Sequence, residues 1–442
     1  MKKTMTNNYI PFTKEMKKTH TILVPNMLPV HFKLLLQILR NDGYKIELLE
    51  TDDVTIPETG LKYVHNDTCY PAILVIGQFM EAIKSGKYDP DRTALLLFQT
   101  GGGCRASNYI SLLRKALKAA NLPNVPVISM SLAGVEKHPG FSLSLPVLHK
   151  MVYGVLYGDL LMSLKNQCIP YEKTDGDTER LCAYFTEKLV EEMEQNGVSI
   201  KKAKTNMREI IKAFGDIPMH KTEKVQVGVV GEIYVKYSPL GNNNLEKLLI
   251  SEGAEVTTPG LLDFCIYCVH NNIIDYEKLG YGSYISYKVI KFVYNFLIKK
   301  QREIIELYEE DGRFRAPGAF PHTLSRISEI MGLGCKMGEG WLLPAEMMEL
   351  YDSGIKNIVC TQPFGCLPNH ICGKGMMKPV KSACPGINIV AIDYDASASR
   401  VNQENRIKLM LSNAKDSLED KHSDTEKHTE KHTQKVLTYG KI

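Results

Sequence analysis

The chain predicts an α/β protein: two doubly wound parallel-sheet domains, joined by a helical connecting layer and facing each other across a cleft. Three observations predict it. Short apolar runs alternate with amphipathic stretches of about ten to fifteen residues, the pattern of strand, helix, strand. The alternation occurs twice, once in each half of the chain. Between the two halves lies a charged stretch of helical period with few strand signals. Strands that read as continuous apolar runs indicate a parallel sheet covered on both faces.

The elements follow in order. Residues 1–20 form a polar lead-in, and 21–164 the first α/β domain. Within it, "HTILVPNM" is a strand ending at Pro25, and "FKLLLQILRNDGYKIELLE" is a helix closing at Gly43 and entering a second strand. The alternation returns with "AILVIGQFMEAIKSG", "TALLLFQTGGGCRASNYISLLRKALKAANLP" and "VPVISMSL". Residues 165–225, with "ERLCAYFTEKLVEEMEQNG" and "KTNMREIIKAF", are the helical layer. Residues 226–412 are the second α/β domain, carried by "VQVGVVGEIYV", "NNNLEKLLISEGAEV", "EMMELYDSGIKNIVC" and "GINIVAIDYDASAS". Residues 413–442, with "KHSDTEKHTEKHTQK", mix both charges without apolar residues, the composition of a disordered tail.

Composition excludes several functions. With 442 residues, 44% hydrophobic and 24% charged, the chain is long enough for two or three cores. A net charge of +4 and the lack of a basic patch interleaved with aromatics exclude a nucleic-acid partner. No apolar stretch reaches the roughly 18 residues of a membrane span, and the first thirty residues hold no signal-peptide core, so a cytoplasmic location is expected. Eleven cysteines, an odd number, then point to reduced thiols that bury, react or bind metal rather than to a disulfide framework.

The position of those cysteines is the signal. Cys69 lies in "HNDTCYPAILVIGQ", beside Asp67 and Pro71. Cys104 follows a strand and the triplet Gly101, Gly102 and Gly103, where backbone approaches a bulky group closely and a helix start supplies N–H donors. A phosphate loop would compete for that segment, but Cys-Arg stands where GxxxxGK[ST] requires Lys-Ser/Thr. Cys335 sits in "MGLGCKMGEGW"; Cys360 ends the strand "IKNIVC"; Cys366 and Cys372 follow in "CTQPFGCLPNHICGKG". Cys168, Cys182, Cys265 and Cys268 lie in apolar helical stretches and read as packing. Cys265 and Cys268 have the spacing of one zinc knuckle but no second knuckle nearby. Iron–sulfur clusters accept thiolates from remote loops, and glycine-rich turns aim N–H groups at their sulfides.

"NDTCYPAILVIGQ", "QTGGGCRASNYI", "GEIYVKYSPLGNN", "MGEGWLLPAEM", "QPFGCLPNHICGKGM" and "IDYDASASRVNQENRIKLML" together resemble the 2-hydroxyacyl-CoA dehydratase component superfamily. The resemblance covers residues 60–412 and is greatest to the C-terminal part of the large activase-related proteins and to the double-cubane cluster proteins. It implies an iron–sulfur protein that receives low-potential electrons from a separate ATP-hydrolysing activase with its own cluster. It also implies a cluster in the cleft that passes electrons to a small substrate, and a possible homodimer. By motif, Cys69, Cys104 and Cys366 match the three ligands of a 4Fe-4S cluster. A double-cubane 8Fe-9S cluster needs about six thiolates, and Cys335, Cys360 and Cys372 are the candidates for the remainder. Cys384 is left as a spare thiol, and ATP enters only through the partner, since no activase segment is present.

Three functions are therefore open: reduction of a small substrate, 2-hydroxyacyl-CoA dehydration, and non-catalytic electron carriage or cluster delivery. No signature for CoA is found, which weakens the second. Glu339, among glycines, is a candidate proton donor beside a cluster, or else caps the following helix or serves a turn. His370, between Cys366 and Cys372, is a candidate donor to a sulfide or to substrate, or else a loop histidine.

Overall fold

The computed structural model describes residues 9–53, 55–98, 103–130, 136–416 and 418. It contains two four-stranded sheets, every pairing parallel. The first comprises β1 (Thr21–Pro25), β2 (Ile46–Leu49), β3 (Thr93–Phe98) and β4 (Val127–Met130), in the order β2-β1-β3-β4. The second comprises β5 (Val225–Gly231), β6 (Ala254–Thr257), β7 (Asn357–Pro363) and β8 (Asn388–Tyr394), in the order β6-β5-β7-β8. The two orders are the same topology, in which the strand order reverses between β1 and β3 and between β5 and β7. In such sheets the carboxyl ends at the reversal form the natural binding crevice.

Alternation along the strands explains the layers. Ile22, Val24, Ala94 and Leu96 point into one apolar cluster, while Leu23, Leu95 and Leu97 point into another. That second cluster also takes Val225, Val227, Val229 and Val359 from the other sheet, so the two sheets share a core. At its centre is the helix Tyr70–Lys84, with thirteen of its fifteen residues buried. Its run "AILVIGQFM" is helical throughout, since each fully buried Ile or Leu contributes about 1.5–3 kcal/mol and a helix with core on all sides needs no polar face.

The helices Asp177–Asn196 and Ala203–Gly215 fall in the expected connecting region, and Leu145–Cys168 runs into it. The second half carries a further helical insertion between β6 and β7, including the 28-residue helix Tyr284–Asp311. The lead-in is not merely polar: Phe12 is fully buried, its N–H donating to His138 Nδ1 at 3.2 Å. The helix after β8 continues through residue 416, so 413–416, expected to open the disordered tail, are helical; 417 and 419–442 lie outside the described residues. No described helix is long and apolar enough to cross a membrane.

The reading of Cys360 is also corrected. Cys360 does not end its strand: β7 continues through Thr361, Gln362 and Pro363, which pair with Ile392, Asp393 and Tyr394 of β8. Pro363 ends the strand, where a missing N–H is tolerated. Cys360 is consequently a mid-strand residue.

Gly231, the last residue of β5, has φ +146° and lies against β7; a Cβ there would fall 1.9 Å from the Thr361 carbonyl oxygen. That contact is backbone on backbone and cannot relax by a rotamer change. Gly231→Ala is expected to destabilise the protein by about 3 kcal/mol, checked by chemical denaturation.

Candidate metal centre

Four loops are tied together beyond the carboxyl ends of β3, β5 and β7. Cys69 precedes the helix Tyr70–Lys84 as its N-cap. Cys104 caps the 3₁₀ turn Arg105–Asn108, its Sγ accepting from Ala106 N–H at 3.5 Å. Arg105 Nη1 donates to the Asp67 carbonyl at 2.6 Å, which fixes the Cys104 loop to the Cys69 turn. Gly103 N–H donates to Met337 Sδ at 3.2 Å, bringing in the loop that carries Cys335 and Glu339. Asn369 Nδ2 spans the last gap, 3.4 Å from Cys366 Sγ and 3.2 Å from Glu339 Oε2.

The six candidate thiols divide three, two and one. Cys69, Cys104 and Cys366 are within electrostatic reach of one another: Cys366 and Cys104 both help to raise the pKa of Cys69. Burial is the largest cause there, followed by the Glu232 carboxyl. Burial, then Glu339, pushes Cys366 up to about 12. Cys372 is pushed to about 11, first by burial, then by Cys335, which marks these two as a second pair beside Glu339. Cys335 is exposed and its position is set by Gly340, which has φ +42° and lies so close that a Cβ would come within 2.2 Å of the Cys335 carbonyl. Cys360 is fully buried in an apolar cluster with Val230, Met348 and Ile358, and a Cβ on Gly373, the residue after Cys372, would lie 3.3 Å from its Sγ.

Thiols held neutral in this way are poor nucleophiles, which require a lowered pKa. They remain suitable metal ligands, because a bound cation deprotonates a coordinating thiol outright. The groups that most perturb Cys69 and Cys366 are burial and carboxyls, so the charge needed to hold thiolates has to arrive with the bound group. Thiols carried on separate loops are the donor type that a thiolate-bound cluster takes. Among the described residues no three His, Cys, Asp or Glu are placed to hold a single metal ion. A single ion needs its thiolates all about 2.3 Å from one point, a tighter convergence than a cluster with a different iron for each thiolate.

Glu339 is buried and does not cap the following helix, Leu342–Asp352, which has no side-chain cap. Its Oε1 instead accepts from Ile233 N–H at 3.0 Å. Beside it is Glu232, which follows β5 and accepts from Val235 N–H at 2.8 Å. Both carboxyls thus sit at the N-terminus of the short helix Ile233–Tyr237. Burial first, then Glu339, pushes Glu232 up to about 8, and burial raises Glu339 as well. His370 accepts from Gly365 N–H through Nε2 at 3.1 Å, which places its proton on Nδ1 and uses the ring to close its own loop. Gly101 and Gly102 lie outside the described residues.

Glu232 was not singled out from the sequence. The available signal was a lone acid directly after the strand "VQVGVVG", the position where parallel sheets place working groups. Its raised pKa has a measurable consequence. The folded chain retains a proton that the unfolded chain loses above about pH 4.5, so stability falls as pH rises toward 8. The slope is at most about 1.4 kcal/mol per pH unit, reduced by the partly exposed surface of Glu232. In metal-free protein, Glu232→Gln is expected to flatten the curve of stability against pH over that window, and an unchanged slope would show that Glu232 titrates normally.

In comparison with known proteins, the chain matches no family model and no curated protein.

Proposed function

We propose that the protein is an iron–sulfur protein that takes low-potential electrons from an ATP-hydrolysing activase partner and reduces a small substrate in a cleft between its halves. One observation carries this reading: three thiols on three separate loops, of which Cys69 and Cys366 are kept neutral by burial and nearby carboxyls, so that a positively charged bound group is needed to make these two thiolates. Cys69, Cys104 and Cys366 would hold the cluster, and Cys335 with Cys372 would supply ligands for a larger one. When bound, such a cluster supplies single electrons at low potential.

The remaining chemistry belongs to the chain's own side chains. Asn369 donates a hydrogen bond to Cys366 Sγ, which stabilises charge on that sulfur. Glu232 is pushed up to about 8, so near neutrality its carboxyl holds a proton beside the thiols, as a proton-coupled reduction requires. Cys360, enclosed by apolar side chains, is left to packing.

The test is turnover. Anaerobic protein supplied with an activase, ATP and a reductant is expected to reduce small unsaturated test substrates, and Glu232→Gln to slow this without changing iron content. Loss of water from 2-hydroxyacyl-CoA under the same conditions would favour dehydration. A reducible cluster with neither activity would favour an electron carrier.

A further inference from the structure

The 28-residue helix Tyr284–Asp311 is packed into the body along only half of its length. Its buried residues, Leu297, Gln301, Ile304, Leu307 and Tyr308, all belong to the second half. The first half forms a hairpin with the end of the helix Leu261–Glu277, where the Tyr276 and Tyr287 rings stack at 4.5 Å and Tyr294 packs against His270. Its other side faces solvent. We propose that this outer face is the interface of a homodimer, closed by the same face of a second copy of the chain.

The face is apolar where solvent calls for polar residues. Ile285, Val289 and Phe292 recur at i, i+4 and i+7, the spacing of one helical stripe, and are 77%, 58% and 74% exposed. Leu279, Tyr281 and Tyr284 extend it over the turn of the hairpin, each of them exposed. Phe296, one turn further on, is half-buried, with the His149 ring at 5.3 Å. Single exposed apolar residues are ordinary, but these six together present about 750 Å², beyond the roughly 300–600 Å² of the largest patch on an ordinary monomer. That is close to the roughly 800 Å² each partner gives to a stable interface.

Shape and charge both favour a second copy. Two such stripes packed antiparallel about a twofold axis between Ile290 and Lys291 set Val289 of each copy against Phe292 of the other, small against large, and Ile285 against Phe296. The same pairing puts Lys288 beside Asn295 and Ser286 beside Val293, so no lysine meets a lysine. A lipid surface would instead call for a cluster of about four to eight free cations. Here Lys291 is paired with Glu277 at 3.5 Å, and Lys288 lies over the Tyr284 ring at 5.2 Å.

Sedimentation of the full chain from nanomolar to high micromolar concentration tests the proposal, with the wild-type chain expected to form a dimer. Ile285→Glu and Phe292→Glu are each expected to weaken that dimer about thirtyfold or more, the loss typical of a central contact, with helical content unchanged because both positions are exposed. Val289→Glu and Phe292→Lys are expected to be monomeric apart and to pair with each other when mixed, since one layer then sets the glutamate against the lysine. A wild-type chain that stays monomeric, a dimer that both glutamates leave intact, or a mixture that does not associate would overturn it. The readout is mass, so it stands or falls separately from the iron content.

Discussion

Single replacement of Cys69, Cys104 or Cys366 by alanine is expected to reduce the iron of anaerobically purified protein to near zero. Each thiol is on a different loop, and the loops are joined by the Arg105 and Asn369 hydrogen bonds. Two thiols on two loops leave a cluster open on one side. Cys335→Ala and Cys372→Ala are expected to remove about half of the iron if the pair extends the site to a double cubane of about eight irons. Cys360→Ala is expected to leave iron unchanged and to cost stability only, because its side chain is enclosed in the apolar cluster behind β7. Iron analysis of the six variants reads all of this directly, and retention of full iron in any of the first three would remove that residue from the ligand set.

Lys236→Ala is expected to destabilise the chain by about 3–5 kcal/mol. The Lys236 ammonium and the Glu346 carboxylate are 3% and 4% exposed and 2.9 Å apart. Removal of the lysine leaves a buried carboxylate without its counter-ion, and the neighbouring Glu339 adds a second acid to the same region. Burial already raises Glu346 above its usual range, and Lys236 is what opposes that rise. The paired replacement Lys236→Met with Glu346→Leu, of similar volume and without charge, is expected to recover most of the loss. Denaturant unfolding of the single and double variants checks both. A single variant within about 1 kcal/mol of wild type would mean that water reaches the pair.

The eight strands were legible because each is an apolar run followed by turn chemistry, as in "TALLLFQT" and "INIVAIDYD". Their shared order was not, since strand neighbours are decided by packing across the sheet rather than by local pattern. Cys372, read as lying in a turn, is inside the π-helical segment Asn369–Lys374, whereas Cys69, Cys104, Cys335 and Cys366 were correctly read as lying in turns or loops. Cys360 was not, because "TQP" carries no apolar signal, although its backbone still pairs with β8. Glu339 was legible as an acid in a glycine-dense loop, but its partner Glu232 was not. What unites them is the N-terminus of a five-residue helix too short to register as a period. His370 was legible as a residue between cysteines, whereas its hydrogen bond to Gly365 is a property of the folded loop.

The most direct test of the central claim is the iron and acid-labile sulfide content of wild-type protein purified without oxygen, with electron paramagnetic resonance before and after reduction. Iron and sulfide in about equal amounts, at four or more per chain, with a signal that changes on reduction, are the expected result. Protein that carries neither iron nor sulfide, and acquires neither on anaerobic reconstitution, would contradict it.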